Sequence, residues 1–254
     1  VNIIIVQNVK QKKGLNKVNN IKISGIQKTS LIDYPDNIST VLFTQGCNMN
    51  CPYCHNPELI PEGNENDYLK LDNLWNFLDK RAGLIDGVVI TGGEPLIQES
   101  IYELLVKIKK YDLLIKLDTN GTNYSLLKKI IDDKLVDYIA IDIKGPIKDY
   151  DKFCGIKLNK SIINNIDKSI ELLINSSNVF TEMRTTVVPG MHDKRIMKKI
   201  AKKVSGVDKF FIQNFRPNKV NNPDFKEKRR FSEKELNEFQ NIFREKNVEV
   251  QIRN

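Results

Sequence analysis

What most limits the fold of this chain is a rhythm. Six short apolar runs, rich in β-branched residues, recur at intervals of roughly 25 to 30 residues with helical patterns between them, which is the spacing of βα units around a parallel sheet. The expected strands are Thr40–Thr44, Gly87–Thr91, Leu113–Thr119, Tyr138–Ile143, Thr181–Val188 and Lys209–Asn214. Between them, Leu71–Lys80 gathers Leu71, Leu74, Trp75 and Leu78 on one helical face, and Ile97–Lys109 does the same with Ile97, Ile101, Leu104, Leu105 and Ile108. Ile162, Ile166, Ile170 and Leu173 mark a further helix. Ser232 followed by Glu235 is a capping-box start for a last helix carrying Leu236, Phe239 and Phe243, and Val248–Ile252 is expected as a short closing strand. No sequence repeat, low-complexity stretch or Gly/Pro-rich linker divides the chain. Residues 21–254 are therefore expected to form one α/β domain, a TIM-type arrangement, with residues 1–20 as a polar, Lys-rich leader outside it.

In a parallel βα barrel, functional side chains gather where strands end and loops begin. The first expected strand runs into Gly46 and then Cys47, Cys51 and Cys54, a CxxxCxxC set. A cubane iron-sulfur cluster is normally held by four thiolates, so a compact set of three leaves one iron open to another ligand. Tetrahedral zinc could use the same thiols with His55 or the distant Cys154, although structural zinc usually pairs its ligands two by two. Disulfides suit small secreted chains, and this one has four cysteines in 254 residues and no signal peptide. The spacing favours a cluster and leaves zinc open.

The other strand ends are polar in the same way. The second closes on "TGGEP", where Gly92 and Gly93 permit close approach of a ligand to the backbone, Glu94 offers a carboxylate and Pro95 opens the next helix. The third ends with Asp118, Thr119 and Asn120, the fourth with Asp142 and Lys144. Taken singly, each also suits an ordinary turn. Arg184, inside the apolar fifth strand, requires a carboxylate partner.

A net charge of +8 raises the question of nucleic acid, so its location matters. Between Asp193 and Arg230 there are 13 Lys or Arg against 4 Asp or Glu, and the remainder of the chain is nearly neutral. Part of this is an amphipathic helix with Ile196, Ile200 and Val204 on one side and Lys198, Lys199, Lys202 and Lys203 elsewhere. It reads as a solvated face or as a docking surface for an acidic protein. No aromatic-basic stacking motif supports nucleic acid, no apolar run reaches the ~20 residues of a membrane span, and a cytoplasmic location is expected.

With these pieces in order, the chain resembles the radical S-adenosylmethionine (SAM) superfamily: CxxxCxxC after the first strand, GGE after the second, and a partial (β/α)6 barrel from roughly Gly25 to Asn254. Within it, "SGIQKTSLIDYP", "YCHNP", "DTNG", "DIKG" and "VVPG" look like the glycyl-radical-enzyme activases, above all those of anaerobic ribonucleoside-triphosphate reductase. The resemblance implies one [4Fe-4S] cluster on Cys47, Cys51 and Cys54, with SAM on the fourth iron. Reductive cleavage of SAM would yield a 5′-deoxyadenosyl radical that takes a hydrogen from a glycine of the partner enzyme. It further implies that Tyr53 packs beside the adenosine, that Gly92, Gly93 and Glu94 receive the methionyl amino end, and that Lys144 and Arg184 face its carboxylate. Asp118, Thr119 and Asp142 match positions that hold a monovalent cation, with Asn120 in the same ligand-facing loop. Two carboxylates close together would in any case repel unless a cation or proton lay between them. A flavodoxin- or ferredoxin-like protein is the implied electron donor.

The departures are equally specific. No cysteine falls between Asn56 and Thr91, where many activases insert further clusters, so one cluster is expected. Cys154 reads as an ordinary thiol, His192 as a structural or capping residue, Gln213 and Asn214 as near a ribose, and Asn218–Asp224 as a mobile loop. Competing readings are an activase of a pyruvate formate-lyase-type enzyme, a small-molecule enzyme such as 7-carboxy-7-deazaguanine synthase, and, from another class, a zinc-stabilised basic binding protein.

Overall fold

One eight-stranded sheet carries the molecule in a computed structural model that describes residue 18 and residues 20–64 and 67–254. The expected leader lies almost wholly outside the described residues. In chain order the elements are β1 (Ile23–Ser30), β2 (Ser39–Thr44), α1 (Leu71–Arg81), β3 (Gly87–Gly92), α2 (Ile101–Ile108), β4 (Leu114–Thr119), α3 (Tyr124–Asp132) and β5 (Tyr138–Asp142). Then come α4 (Asp151–Cys154), α5 (Lys160–Ile174), β6 (Phe180–Val187), α6 (Lys194–Lys203), β7 (Lys209–Asn214), α7 (Glu233–Arg244) and β8 (Val250–Arg253).

The strands lie side by side in that same order. β1 runs antiparallel to β2, and every later pair is parallel, as strands joined through helices must be. The six expected strands are β2 to β7, the partial barrel, and β8 extends it by one. Period-two alternation sorts each strand between two cores. On β4, Ile115 and Leu117 join the large core under the helices, whereas Lys116 and Asp118 point the other way. On β5, Ile139 and Ile141 face the helices, while Tyr138 and Ala140 join Tyr34, Val41 and Val89 in a small cluster on the concave side.

Three differences from expectation have local causes. β1 escaped the alternation rule because Gln27, Lys28 and Thr29 are all exposed and its pairing with β2 slips at two places. The helix expected at Ile97–Lys109 begins only at Ile101, because Pro95–Ile97 forms a separate 3-10 turn and Gln98 is extended, its side chain donating to the Gln45 carbonyl at 2.6 Å. Asn218–Asp224, expected to be mobile, is hydrogen-bonded to the cysteine loop, as described below. The capping box of α7 is present in both directions, Ser232 to the Glu235 backbone and Glu235 to Ser232.

Candidate active site

Because β2 to β6 are parallel, their carboxyl ends meet at one mouth, and a cavity of about 420 Å³ opens there. Cys47, Cys51, Cys54, Tyr53, Gly92, Gly93, Glu94, Asp118, Thr119, Asn120, Asp142, Lys144 and Arg184 all line it. Sequence separations of up to 137 positions, from Cys47 to Arg184, are closed by the topology alone.

The cysteine loop is fixed to its surroundings through its backbone. Gly46 N–H and Cys47 N–H donate to the Leu59 and Ile60 carbonyls at 2.9 and 3.0 Å, and Asn50 N–H donates to the Cys154 carbonyl at 2.9 Å. All four cysteines are free, with Cys51 buried and Cys47 and Cys54 half-buried. Burial pushes the Cys47 thiol up to about 11 and Cys51 up to about 12, and raises Cys54 as well. Gly92 and Gly93 serve a purpose the sequence did not reveal. Gly92 has φ +121°, and a Cβ there would lie 2.3 Å from Thr44 N, while one on Gly93 would lie 2.0 Å from the Gly46 carbonyl oxygen. The backbone that approaches these glycines is thus the chain's own, and Glu94 N–H donates to Gly46 O at 2.8 Å, seaming β3 to the cysteine loop.

Glu94 is almost completely buried. Its carboxylate accepts from Thr119 Oγ1 at 2.6 Å, Asn120 N–H at 2.7 Å and Leu96 N–H at 3.0 Å. Burial nevertheless pushes its pKa up to about 7. Asn120 donates through Nδ2 to Asn48 Oδ1 at 2.8 Å, and Asn48 donates to Thr122 Oγ1 at 2.8 Å, so a continuous polar chain links the loop between the first two cysteines to Glu94. Asn120, in the loop expected to face a ligand, lines the cavity and is bonded into that chain.

Asp118 and Asp142 do not face each other across a gap. Arg184 stands between them, with Nε 2.7 Å from Asp142 and Nη2 3.1 Å from Asp118. Lys144 adds a looser contact to Asp142 at 3.3 Å, and the buried Lys116 holds Asp118 at 2.7 Å. The cations hold both carboxyls below the usual carboxylate range, Arg184 chief among them, against the opposing effect of burial. Arg184 thus finds the carboxylate partners its burial demands. Lys116 was missed, although its inward register on the strand of Asp118, between the outward Ile115 and Leu117, was the available signal.

The remaining residues sort themselves. His192 Nδ1 accepts from Val188 N–H at 3.1 Å, so its other nitrogen donates to the Lys144 carbonyl at 3.1 Å; burial pulls its pKa down to about 4 and it stays neutral. It is structural, as expected. Cys154 is buried, lies outside the cavity lining and points its thiol at the Ile156 carbonyl at 3.4 Å. Gln213 reaches the cavity; Asn214 does not, and instead clasps Phe231 through both backbone groups.

A cluster and SAM fit this arrangement on two counts. Three thiols share one cavity, and the fourth cysteine faces elsewhere. In addition, the hydroxyl of Tyr53, in a residue only 3% exposed, has no hydrogen-bond partner among the described residues, the state of a group left for a partner from outside the protein.

Fold and site together define an enzyme that works with a [4Fe-4S] cluster and SAM: residues 41–201 match the radical SAM superfamily, and the chain belongs to it. The zinc-stabilised binding protein is thereby set aside. The chain is 37% identical over 87% of its length to a protein of Methanocaldococcus jannaschii provisionally named a glycyl-radical enzyme activating enzyme, covering 90% of that protein. It is 31% identical over 74% of its length to the pyruvate formate-lyase-activating enzyme of Clostridium pasteurianum, covering 79% of it. Among solved structures, SuiB of Streptococcus suis bound to SAM shares the fold at TM-score 0.63 and 14% identity, over 83% of this chain and 48% of that one. QueE of Escherichia coli does so at TM-score 0.56 and 12% identity, over 92% and 93%. No helix among the described residues is long and apolar enough to cross a membrane.

Proposed function

We propose that this enzyme installs a glycyl radical on a partner enzyme, and that the partner is an anaerobic ribonucleoside-triphosphate reductase. The observation that carries the activase reading is the near full-length likeness to the Methanocaldococcus jannaschii protein. The ribonucleotide reductase assignment rests on the motif set around the cysteines and strand ends, "SLIDYP", "YCHNP" and "VVPG".

A [4Fe-4S] cluster held by Cys47, Cys51 and Cys54 would supply the electron for reductive cleavage of SAM. The chain's own residues do the positioning. Glu94, backed by Thr119 and Asn120, receives the methionyl amino group at the backbone of Gly92 and Gly93. Lys144 turns toward the carboxylate of SAM, giving up a contact to Asp142 that is already the longest of its set. Arg184, pinned by Asp118 and Asp142, supplies fixed positive charge without reorganising. Tyr53 offers its free hydroxyl to the adenosine. The burial of this set keeps water from the reacting atoms, which matters for a radical that would otherwise be quenched.

The likeness to the Clostridium pasteurianum enzyme favours a second reading, in which the partner is of the pyruvate formate-lyase type. Anoxically reconstituted protein, reduced and given SAM, is expected to form 5′-deoxyadenosine and raise a glycyl radical signal by electron paramagnetic resonance in an anaerobic ribonucleotide reductase. A signal only in a pyruvate formate-lyase would move the assignment. SAM cleavage with neither signal would place the enzyme with the small-molecule members of the superfamily.

A further inference from the structure

Reduction requires an electron to reach a cavity lined by half-buried and buried thiols, and the outer side of the cysteine loop is covered by one strongly basic segment. The connection between β7 and α7 crosses that loop. Asn221 Nδ2 donates to Asn50 Oδ1 at 2.7 Å and to the Cys51 carbonyl at 3.3 Å, Asn222 N–H donates to the Pro52 carbonyl at 2.9 Å, and Arg216 N–H donates to His55 Nε2 at 3.4 Å. His55 in turn stacks on Phe215 with ring centroids 6.3 Å apart.

From Arg216 to Arg230 the segment has six Lys or Arg and two Asp or Glu. Only two of the six have salt-bridge partners among the described residues, Lys219 with Glu58 at 2.6 Å and Arg229 with Glu235 at 2.7 Å. Arg216 donates to the main-chain oxygen of Asn254 and Arg230 to the Phe215 carbonyl. Lys228 rests over the Phe225 ring, and Lys226 is exposed. On the basic helix α6, Lys194, Lys199 and Lys203 pair with Glu238, Asp149, and Asp167 and Glu171, while Arg195, Lys198 and Lys202 have no salt bridge among the described residues, and the helix packs its other face on the outer core of the barrel, beside α7. What distinguishes the Arg216–Arg230 segment is its place against the cysteine loop.

We propose that the face formed by Arg216, Lys226, Lys228 and Arg230 is the docking surface for an acidic one-electron carrier protein, which passes its electron inward across the His55–Asn221 side of the cysteine loop. The proposal rests on the activase reading above and adds to it the place where the reductant binds. In each encounter the carrier is oxidised by one electron and the cluster reduced by one. Electron transfer weakens steeply with distance, so a donor is expected to settle close to the thiols, and the segment that lies against the cysteine loop carries the charge that would attract an acidic partner. Entry from this side also leaves the cavity mouth free for SAM and substrate.

The test uses holoenzyme with an acidic flavodoxin as probe, and compares the variant Lys226→Glu/Lys228→Glu with Lys198→Glu/Lys202→Glu on α6. The first pair is expected to weaken flavodoxin binding, measured by calorimetry at about 50 mM salt, by about tenfold or more, with a shallower salt dependence. The α6 pair should bind like the parent. SAM cleavage driven by dithionite, which needs no docking, should stay within about twofold in both, since neither pair touches the cavity. Undiminished flavodoxin binding in the first variant overturns the proposal, as does a loss confined to the α6 variant or a loss confined to binding of the glycyl radical enzyme. Failure of the activase reading would show separately, as absence of a glycyl radical with dithionite as reductant.

Discussion

A carboxylate that is 1% exposed must be held by donors, and Glu94 has three of them, one from its own turn and two from the end of β4. All three donate, so the site is built for the ionised form, yet burial brings the pKa to about 7, and Glu94 has no salt bridge among the described residues. An ammonium group from SAM would supply the counter-charge. Affinity for SAM is therefore expected to rise as pH passes upward through about 7, because only the ionised carboxylate pairs with the ammonium. Glu94→Gln should lose that pH step and bind SAM about tenfold more weakly, the usual worth of one charged hydrogen bond. Calorimetric titration of SAM on either side of neutrality checks it. A parent curve flat across that range would remove Glu94 from the amino-group site.

Among elements, the cysteine loop is notable for being held from outside by two segments far from it in sequence. Gly155 has φ +72°, and a Cβ on it would meet the Asn50 carbonyl oxygen at 2.0 Å; on the other side, Asn221 reaches Asn50 across 171 positions. Gly155→Ala is expected to cost about 2 kcal/mol in urea unfolding, from strain at a left-handed position. It should also lower the iron bound per chain after anoxic reconstitution, while far-ultraviolet circular dichroism stays that of the parent. Full iron content would mean that the loop tolerates the shift. These straps explain what the sequence could not convey. β2 to β7 were legible because apolar runs at a fixed spacing are a local signal, and the cavity residues followed because parallel strands end together. What each of those residues touches depends on contacts such as Asn48 with Asn120 or Gly93 with Gly46, which no local pattern encodes. Lys116 shows the boundary: its inward register could be read, its pairing with Asp118 could not.

At the scale of the whole molecule, the concave side of the sheet sets an ionic network beside its small apolar cluster. Below the Asp118–Arg184–Asp142 group, Glu182 is fully buried, accepts from Tyr138 Oη at 2.6 Å, and takes both guanidinium nitrogens of Arg253 at 2.8 and 3.0 Å. Arg253 lies over the Phe211 ring at 3.4 Å, so the last strand is fastened to the middle of the sheet by charge and stacking together. Glu182→Ala leaves Arg253, Arg184 and Tyr138 facing an empty site. It is expected to destabilise the fold by about 3 kcal/mol in urea unfolding, as removal of one member of a buried pair does. A change below about 1 kcal/mol, the range of exposed pairs, would show that solvent reaches Arg253 freely enough to replace its partner. Among the described residues the sheet does not join end to end, since β1 and β8 are its two edges. A sealed cylinder could change its girth only by rupturing a ladder of bonds, whereas this wall can widen or narrow through strand twist alone. The molecule thereby combines a floor fastened by ionic contacts with two flanks that no ladder of hydrogen bonds draws together.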